Sequence, residues 1–213
     1  MSRPTVLLAD DHAIAVEGLR RILEPDYEVV GEAANGRALL TAAEQLQPDV
    51  IVVDVSMPLL NGIEAVRQIR KTDPKVKIVF ISMHPDLVYI TEALQAGGSA
   101  YVLKSSAGND IVVAVRDALQ GRTYISPSID QAALVAQIKR NRGARDKPAQ
   151  LTERQREVLQ LTAEGRNNKE IAEILHVSPR TVEFHRYRLM ETLGLRTTAE
   201  LVQYAIKHRI VSS

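Results

Sequence analysis

Along the first 120 residues, two apolar patterns alternate. Short continuous runs, Thr5–Ala9, Val50–Val53, Lys77–Ser82 and Ala100–Leu103, read as buried strands, with Tyr27–Val30 as a fifth. Between them the period changes to that of a helix. Ala15, Leu19, Ile22 and Leu23 share one face, and similar stripes predict helices over Gly36–Leu46, about Asn61–Lys71, about Asp86–Ala96 and about Asn109–Gln120. Gly97-Gly98 and Gly121 stop the last two. Five β–α units with unbroken apolar strands predict a doubly wound, five-stranded parallel sheet covered by helices on both faces. In such a sheet ligands bind beyond the carboxyl ends of the strands. Asp10, Asp11, Asp54, Ser82 and Lys104 all fall at those ends.

The pattern then changes. A possible helix, Gln131–Arg140, leads into Asn141-Arg-Gly-Ala-Arg-Asp-Lys-Pro148, which reads as an exposed linker. Four short helical segments follow, forming a small all-α domain. Thr152 and Gln155 make a capping box for the first, which ends at Gly165, and the second covers about Asn168–Leu175. Ser178 caps the third with Pro179 at its first position, and Gly194 ends it. Thr197 and Glu200 cap the last, which runs to about His208. The expected division is therefore a first domain over residues 1–125, a linker over 126–149 and a second domain over 150–213.

Composition sharpens this division. The net charge of +1 conceals −4 up to Ile125, +3 over residues 126–150 and +2 over 151–213. An acidic front and a mildly basic back suit a nucleic-acid partner for the second half. Without cysteine, disulfides, thiolate metal sites and cysteine nucleophiles are excluded. The first residues run straight into a short strand and no apolar stretch reaches membrane-spanning length, so a cytoplasmic protein with no membrane partner is expected.

The strand-end residues form a chemically coherent set. An aspartate there can attack a phosphoryl group to give an aspartyl phosphate. Neighbouring carboxylates can hold Mg2+, a hard cation that takes oxygen ligands, and a lysine and a hydroxyl can stabilise the phosphoryl oxygens. Taken singly, each residue would read as a turn, a cap or a solvated charge. Together they resemble the receiver domains of two-component response regulators, a flavodoxin-like fold. The matching stretches are Leu7-Leu-Ala-Asp10-Asp11-His12, Val52-Val-Asp54-Val-Ser56-Met-Pro58-Leu-Leu-Asn-Gly62, Ile81-Ser82-Met-His84 and Ala100-Tyr101-Val-Leu-Lys104. The resemblance implies that Asp54 accepts phosphate from a sensor histidine kinase. It further implies that Asp11, Asp54 and the Ser56 carbonyl bind Mg2+, with Asp10 helping through water. Lys104 would pair with the phosphate, and Ser82 and Tyr101 would couple phosphorylation to a surface change. Lys104-Ser105-Ser106-Ala107 departs from the family, which often has a proline there. His84, two residues past Ser82, reads first as an exposed loop histidine and second as a group near the water's approach.

Winding the third helix of the back half at 100° per residue puts Val182, Leu189 and Leu193 inward, with His185 beside them. Arg180, Phe184, Tyr187 and Glu191 face outward, flanked by Glu183 and Arg188. Exposed aromatics beside arginines suit a helix lying in a major groove; the alternative is a dimer or domain interface. This half resembles the LuxR-type helix-turn-helix of the NarL/FixJ group. The match runs through Leu151-Thr-Glu-Arg-Gln-Arg-Glu-Val-Leu159, Gly165, Asn168-Lys169-Glu-Ile-Ala172, Val177-Ser178-Pro-Arg-Thr181-Val182, His185, Leu193-Gly194 and Ala199-Glu-Leu201. The resemblance implies that Lys169, Thr181 and Arg186 touch DNA phosphates and that the last helix helps dimerise. Glu183 and Thr192 stand where lysines are frequent, which should shift specificity onto Glu183 and Phe184.

These readings combine into a phosphorylation-switched transcription factor that binds double-stranded DNA as a homodimer, and leave RNA polymerase as a partner to be tested. A small-molecule phosphatase using Asp54 is disfavoured, since a second Asp-x-Asp carboxylate is missing. An unphosphorylated regulator whose receiver only mediates protein contacts is disfavoured by the complete strand-end set.

Overall fold

A strand apolar on both faces must be covered on both, and the front of the chain achieves this by alternating strand and helix. The computed structural model describes residues 3–143, 151–208 and 210–211. The chain divides into two compact units, the first formed mainly by residues up to Ala144 and the second mainly by residues from Arg145.

In the first unit the order is β1 (Thr5–Ala9), α1 (Ala13–Leu23), β2 (Glu28–Ala33), α2 (Gly36–Leu46), β3 (Val50–Asp54), α3 (Gly62–Thr72), β4 (Lys77–Ser82), α4 (Leu87–Gln95), β5 (Ala100–Leu103), α5 (Ala107–Leu119), β6 (Tyr124–Ile125) and α6 (Gln131–Gly143). A 3-10 turn, Lys104–Ser106, joins β5 to α5. The strands lie in the order β2-β1-β3-β4-β5-β6, every pair parallel. Val6, Leu8, Val50, Val52, Val79, Ile81 and Val102 point to one face, where they meet Val16, Leu19 and Leu23 of α1 and Ile111, Ala114 and Val115 of α5. The alternate residues, among them Leu7, Ile51, Val53 and Phe80, are fully buried on the other face.

Three expectations are corrected. The sheet has six strands, not five: β6 is only two residues long, too short for any period to reveal. The second strand starts after Tyr27, whose ring belongs to the core, and extends through Gly31 and Glu32, which break the apolar run on this edge strand. Its register against β1 shifts between Val6 and Leu7. The helix that follows β5 begins at Ala107 rather than about Asn109. The possible helix after the sheet is present as α6, which reaches Gly143 and packs against α4. The rest of the expected exposed linker, residues 144–148, lies outside the described residues.

The second unit comprises α7 (Glu153–Ala163), α8 (Asn168–Leu175), α9 (Pro179–Leu193) and α10 (Thr198–Lys207). Both expected capping boxes form, and Asn167 with Glu170 adds a third at the start of α8. Ser178 accepts from the Thr181 amide at 3.1 Å, and Gly194 adopts φ 68° to end α9, a conformation that favours glycine. Val158, Leu161, Ile171, Ala172, Leu175 and Val182 form one core, which fixes the α8–α9 angle. Leu159, Leu189, Leu201 and Ala205 form another, which holds α10.

Candidate functional site

The sheet register determines which side chains meet. Asp54 is opposite Ile81, and Ser82 is opposite Leu103, so Asp10, Asp54, Ser82 and Lys104 emerge together at the carboxyl edge of the sheet. Lys104 Nζ lies 2.7 Å from Asp10 Oδ2 and donates to Asp54 Oδ2 at 2.9 Å. Asp10 and Asp54 are 2% and 3% exposed, so both are shielded from water that could otherwise screen them. Burial pushes the Asp54 carboxyl above its ordinary range; Lys104 and the Ser56 amide pull it back, while Asp10 pushes it further up. Burial works against the Lys104 ammonium, but its two carboxylate partners outweigh it and raise its pKa. The pocket is thus held by one cation shared between two buried acids.

The start of α3 is pressed against the same strand end. Asn61 caps α3 through the Glu64 amide at 2.9 Å, and the Gly62 amide donates to the Val55 carbonyl at 2.9 Å. A Cβ at Gly62 would stand 2.0 Å from the carbonyl oxygen of Asp54, so only glycine fits.

Ser82 and Tyr101 are both fully buried. The Tyr101 hydroxyl donates to the His84 carbonyl at 2.9 Å and bonds Ser82, whose own oxygen accepts from the His84 amide at 3.1 Å. These bonds tie the β4–α4 loop to β5. The expected exposed His84 is instead half-buried, its ring stacked on Tyr89 at 4.9 Å between centroids. Burial pushes the Tyr89 hydroxyl up to about 12.

Carboxylate atoms of Asp10, Asp11 and Asp54 and a ring nitrogen of His12 all lie within 4.8 Å of one another. Asp11 and His12 are the exposed members, and His12 Nδ1 is 3.0 Å from Asp11 Oδ1 and 3.2 Å from Asp10 Oδ1. Three oxygen donors, two of them buried, fit a hard divalent cation. His12 received no role from sequence reading, although its place directly after the acidic pair was the available signal.

In the second unit α9 presents Arg180, Glu183, Phe184, Tyr187 and Arg188 to solvent, with Phe184 and Tyr187 56% and 63% exposed. Arg188 lies 5.7 Å from the Phe184 ring centroid and pairs with Glu191 at 2.9 Å. Lys169 is exposed at the start of α8, and Thr181 bonds Ser178 in the first turn of α9. Arg186 has partners within the unit that no local sequence pattern indicates. Half-buried, it donates to Asn168 Oδ1 at 2.5 Å and to Thr198 Oγ1 at 2.6 Å, bracing α8 and α10. His185 is half-buried, and burial, followed by Arg154, depresses its pKa.

Comparison with known proteins gives two family matches: the response regulator receiver domain over residues 6–116, and the bacterial regulatory proteins of the luxR family over residues 149–205. Over 97% of its length and 95% of the relative's, the chain is 36% identical to the transcriptional regulatory protein MctR of Rhizobium johnstonii. It is 37% identical to the oxygen regulatory protein NreC of Staphylococcus carnosus, covering 97% of this chain and 98% of that one. Among solved structures, a complex of the two-component response regulator RcsB with DNA is 28% identical, with a TM-score of 0.60 over 95% of this chain and 98% of that one. Among the described residues, no helix is long and apolar enough to cross a membrane.

Proposed function

The chain belongs to the DNA-binding response regulators that join a receiver domain to a LuxR-type helix-turn-helix, and from that premise we propose that Asp54 is its phosphoacceptor and α9 its recognition helix. The observation carrying this reading is the convergence of Asp54, Lys104 and Asp10 within 3 Å contacts at one sheet edge. A carboxylate oxygen of Asp54 attacks the phosphorus of a phosphohistidine on a sensor kinase. The phosphorus–nitrogen bond breaks, and the electron pair leaves with the imidazole. Lys104 shifts from its carboxylate partners to the phosphoryl oxygens, and Ser82 offers a hydroxyl to another. Asp11, Asp54 and the Ser56 carbonyl would hold Mg2+, with Asp10 helping through water, and the bound ion would supply neutralisation of phosphoryl charge. Tyr101, hydrogen-bonded to Ser82 and the β4–α4 loop, relays the change to the surface.

On the DNA side, Lys169, Thr181, Arg186 and Arg180 contact phosphates while Glu183, Phe184, Tyr187 and Arg188 face the major groove. Helix-turn-helix dimers match their symmetry to the DNA, so a homodimer of this chain reads an inverted repeat with half-sites about one helical turn apart. The receiver spans residues 1–125, the linker 126–149 and the DNA-binding domain 150–213, and the protein works in the cytoplasm. Incubation with acetyl phosphate and Mg2+ tests the pocket: the wild type gains one phosphoryl group by intact mass and Asp54→Asn gains none. Full labelling of Asp54→Asn removes the assignment.

A further inference from the structure

The loop after Lys104 lacks proline but is fastened by a carboxylate surrounded by hydroxyls. Asp110, in the first turn of α5, accepts from Ser106 Oγ at 2.7 Å and from Ser126 Oγ at 2.8 Å, and the Tyr124 hydroxyl bonds it as well. Partial burial opposes the Asp110 charge, yet the hydroxyls of Ser106, Ser126 and Tyr124 prevail and lower its pKa. Ser126 is fully buried. Its oxygen accepts from the Leu103 amide at 3.0 Å, and its own amide donates to the Tyr101 carbonyl at 3.0 Å.

The polarity of this network is fixed by counting protons. Ser126 has one hydroxyl proton, which goes to the carboxylate, and its lone pairs remain for the Leu103 amide. A chain of bonds that ends on a charge strengthens each of its links. Leu103 immediately precedes Lys104, and Ser106 ends the 3-10 turn that Lys104 opens. The backbone of Lys104 is therefore gripped on both sides by one carboxylate: upstream through Ser126 and Leu103, downstream through Ser106.

We propose that Asp110 and Ser126 form a clasp that positions Lys104 for the phosphoryl group on Asp54. They touch neither phosphate nor metal, so they are positioning residues. The inference rests on the reading of Asp54 as phosphoacceptor. It explains how a lysine shared between two carboxylates keeps a defined place when a phosphoryl group draws it away, and how the loop dispenses with proline.

Beryllofluoride, a phosphoryl mimic, tests it on the full chain by titration in the presence of Mg2+, followed by fluorine NMR. Asp110→Ala and Ser126→Ala are each expected to weaken beryllofluoride binding about tenfold, the worth of one hydrogen bond to a charged group. The double variant should lose no more than about twofold beyond the worse single one, because the residues act as a unit. Mg2+ affinity without beryllofluoride should not fall, since a displaced Lys104 competes less for Asp10 and Asp54, and Ser126→Thr, which keeps the hydroxyl, should restore binding. If the alanine variants do not fold, Ser126→Cys and Asp110→Asn carry the same comparison. Wild-type affinity in the variants, or an equal loss of Mg2+ affinity, overturns the clasp alone. Failure of the wild type to bind beryllofluoride overturns the phosphoacceptor reading and the clasp with it.

Discussion

Around Asp54 the charges are buried and satisfied by one another; along α9 they are exposed, and Arg188 stacks loosely on a solvent-facing ring. The pocket has a fixed set of partners because unpaired charge is costly where water is excluded. The α9 face can leave Glu183 outward because water solvates its charge, whereas the exposed Phe184 and Tyr187 rings gain only when a ligand covers them. One half of the protein holds its charges in a closed pocket, and the other keeps a surface open to solvent.

The largest expected contrast lies between two cations, Lys104 and Arg188. Lys104→Met leaves Asp10 and Asp54 buried with no counter-charge, and should cost about 3 kcal/mol of stability in urea unfolding without metal. Arg188→Met breaks an exposed pair and should cost no more than about 0.5 kcal/mol. Equal losses would erase the contrast. The face itself comes next: Phe184→Ala or Glu183→Ala should cost about 1–3 kcal/mol at one base position and relax preference there, read by selection from random DNA. Recovery of the wild-type motif would assign the aromatic face to a protein interface. Lys169→Ala should weaken all sequences alike and reduce the salt slope by roughly one unit.

Arg186 breaks the simple division, since its guanidinium braces α8 and α10. Arg186→Ala should lower the stability of the second unit by about 1–2 kcal/mol as well as weakening DNA binding. Unchanged unfolding would leave it a phosphate ligand alone. The smallest effect is with pH. The folded state disfavours protonated His185, so the second unit should lose stability as pH falls from about 6.5 through the depressed folded value. His185→Gln should flatten that slope in amide NMR unfolding curves.

The two halves also differed in how much their sequences disclosed. Strands such as Lys77–Ser82 and Ala100–Leu103 were legible to the residue because their apolar runs end at a polar group that the site itself requires. Capping boxes at Thr152 and Thr197 were legible because local hydrogen bonds decide them. What escaped was long-range. The two-residue β6 exists through pairing with β5, and the clasp joins residues 16 apart, Asp110 and Ser126, that share no local pattern. The resemblance alone assigns Arg186 to the DNA side, whereas its partners within the protein come from two other helices.

Gly62 carries no functional group, yet its hydrogen atom points where a Cβ would collide with the carbonyl of Asp54. In a survey of every substitution along the chain, that position should therefore tolerate as little as Asp54 itself, for a different reason. On the proposed reading, replacing Asp54 leaves an intact fold that cannot react, whereas a replaced glycine must first push the helix and the strand apart. Abundance and signalling measured side by side would separate the two: silent but plentiful protein at residue 54, scarce protein at residue 62.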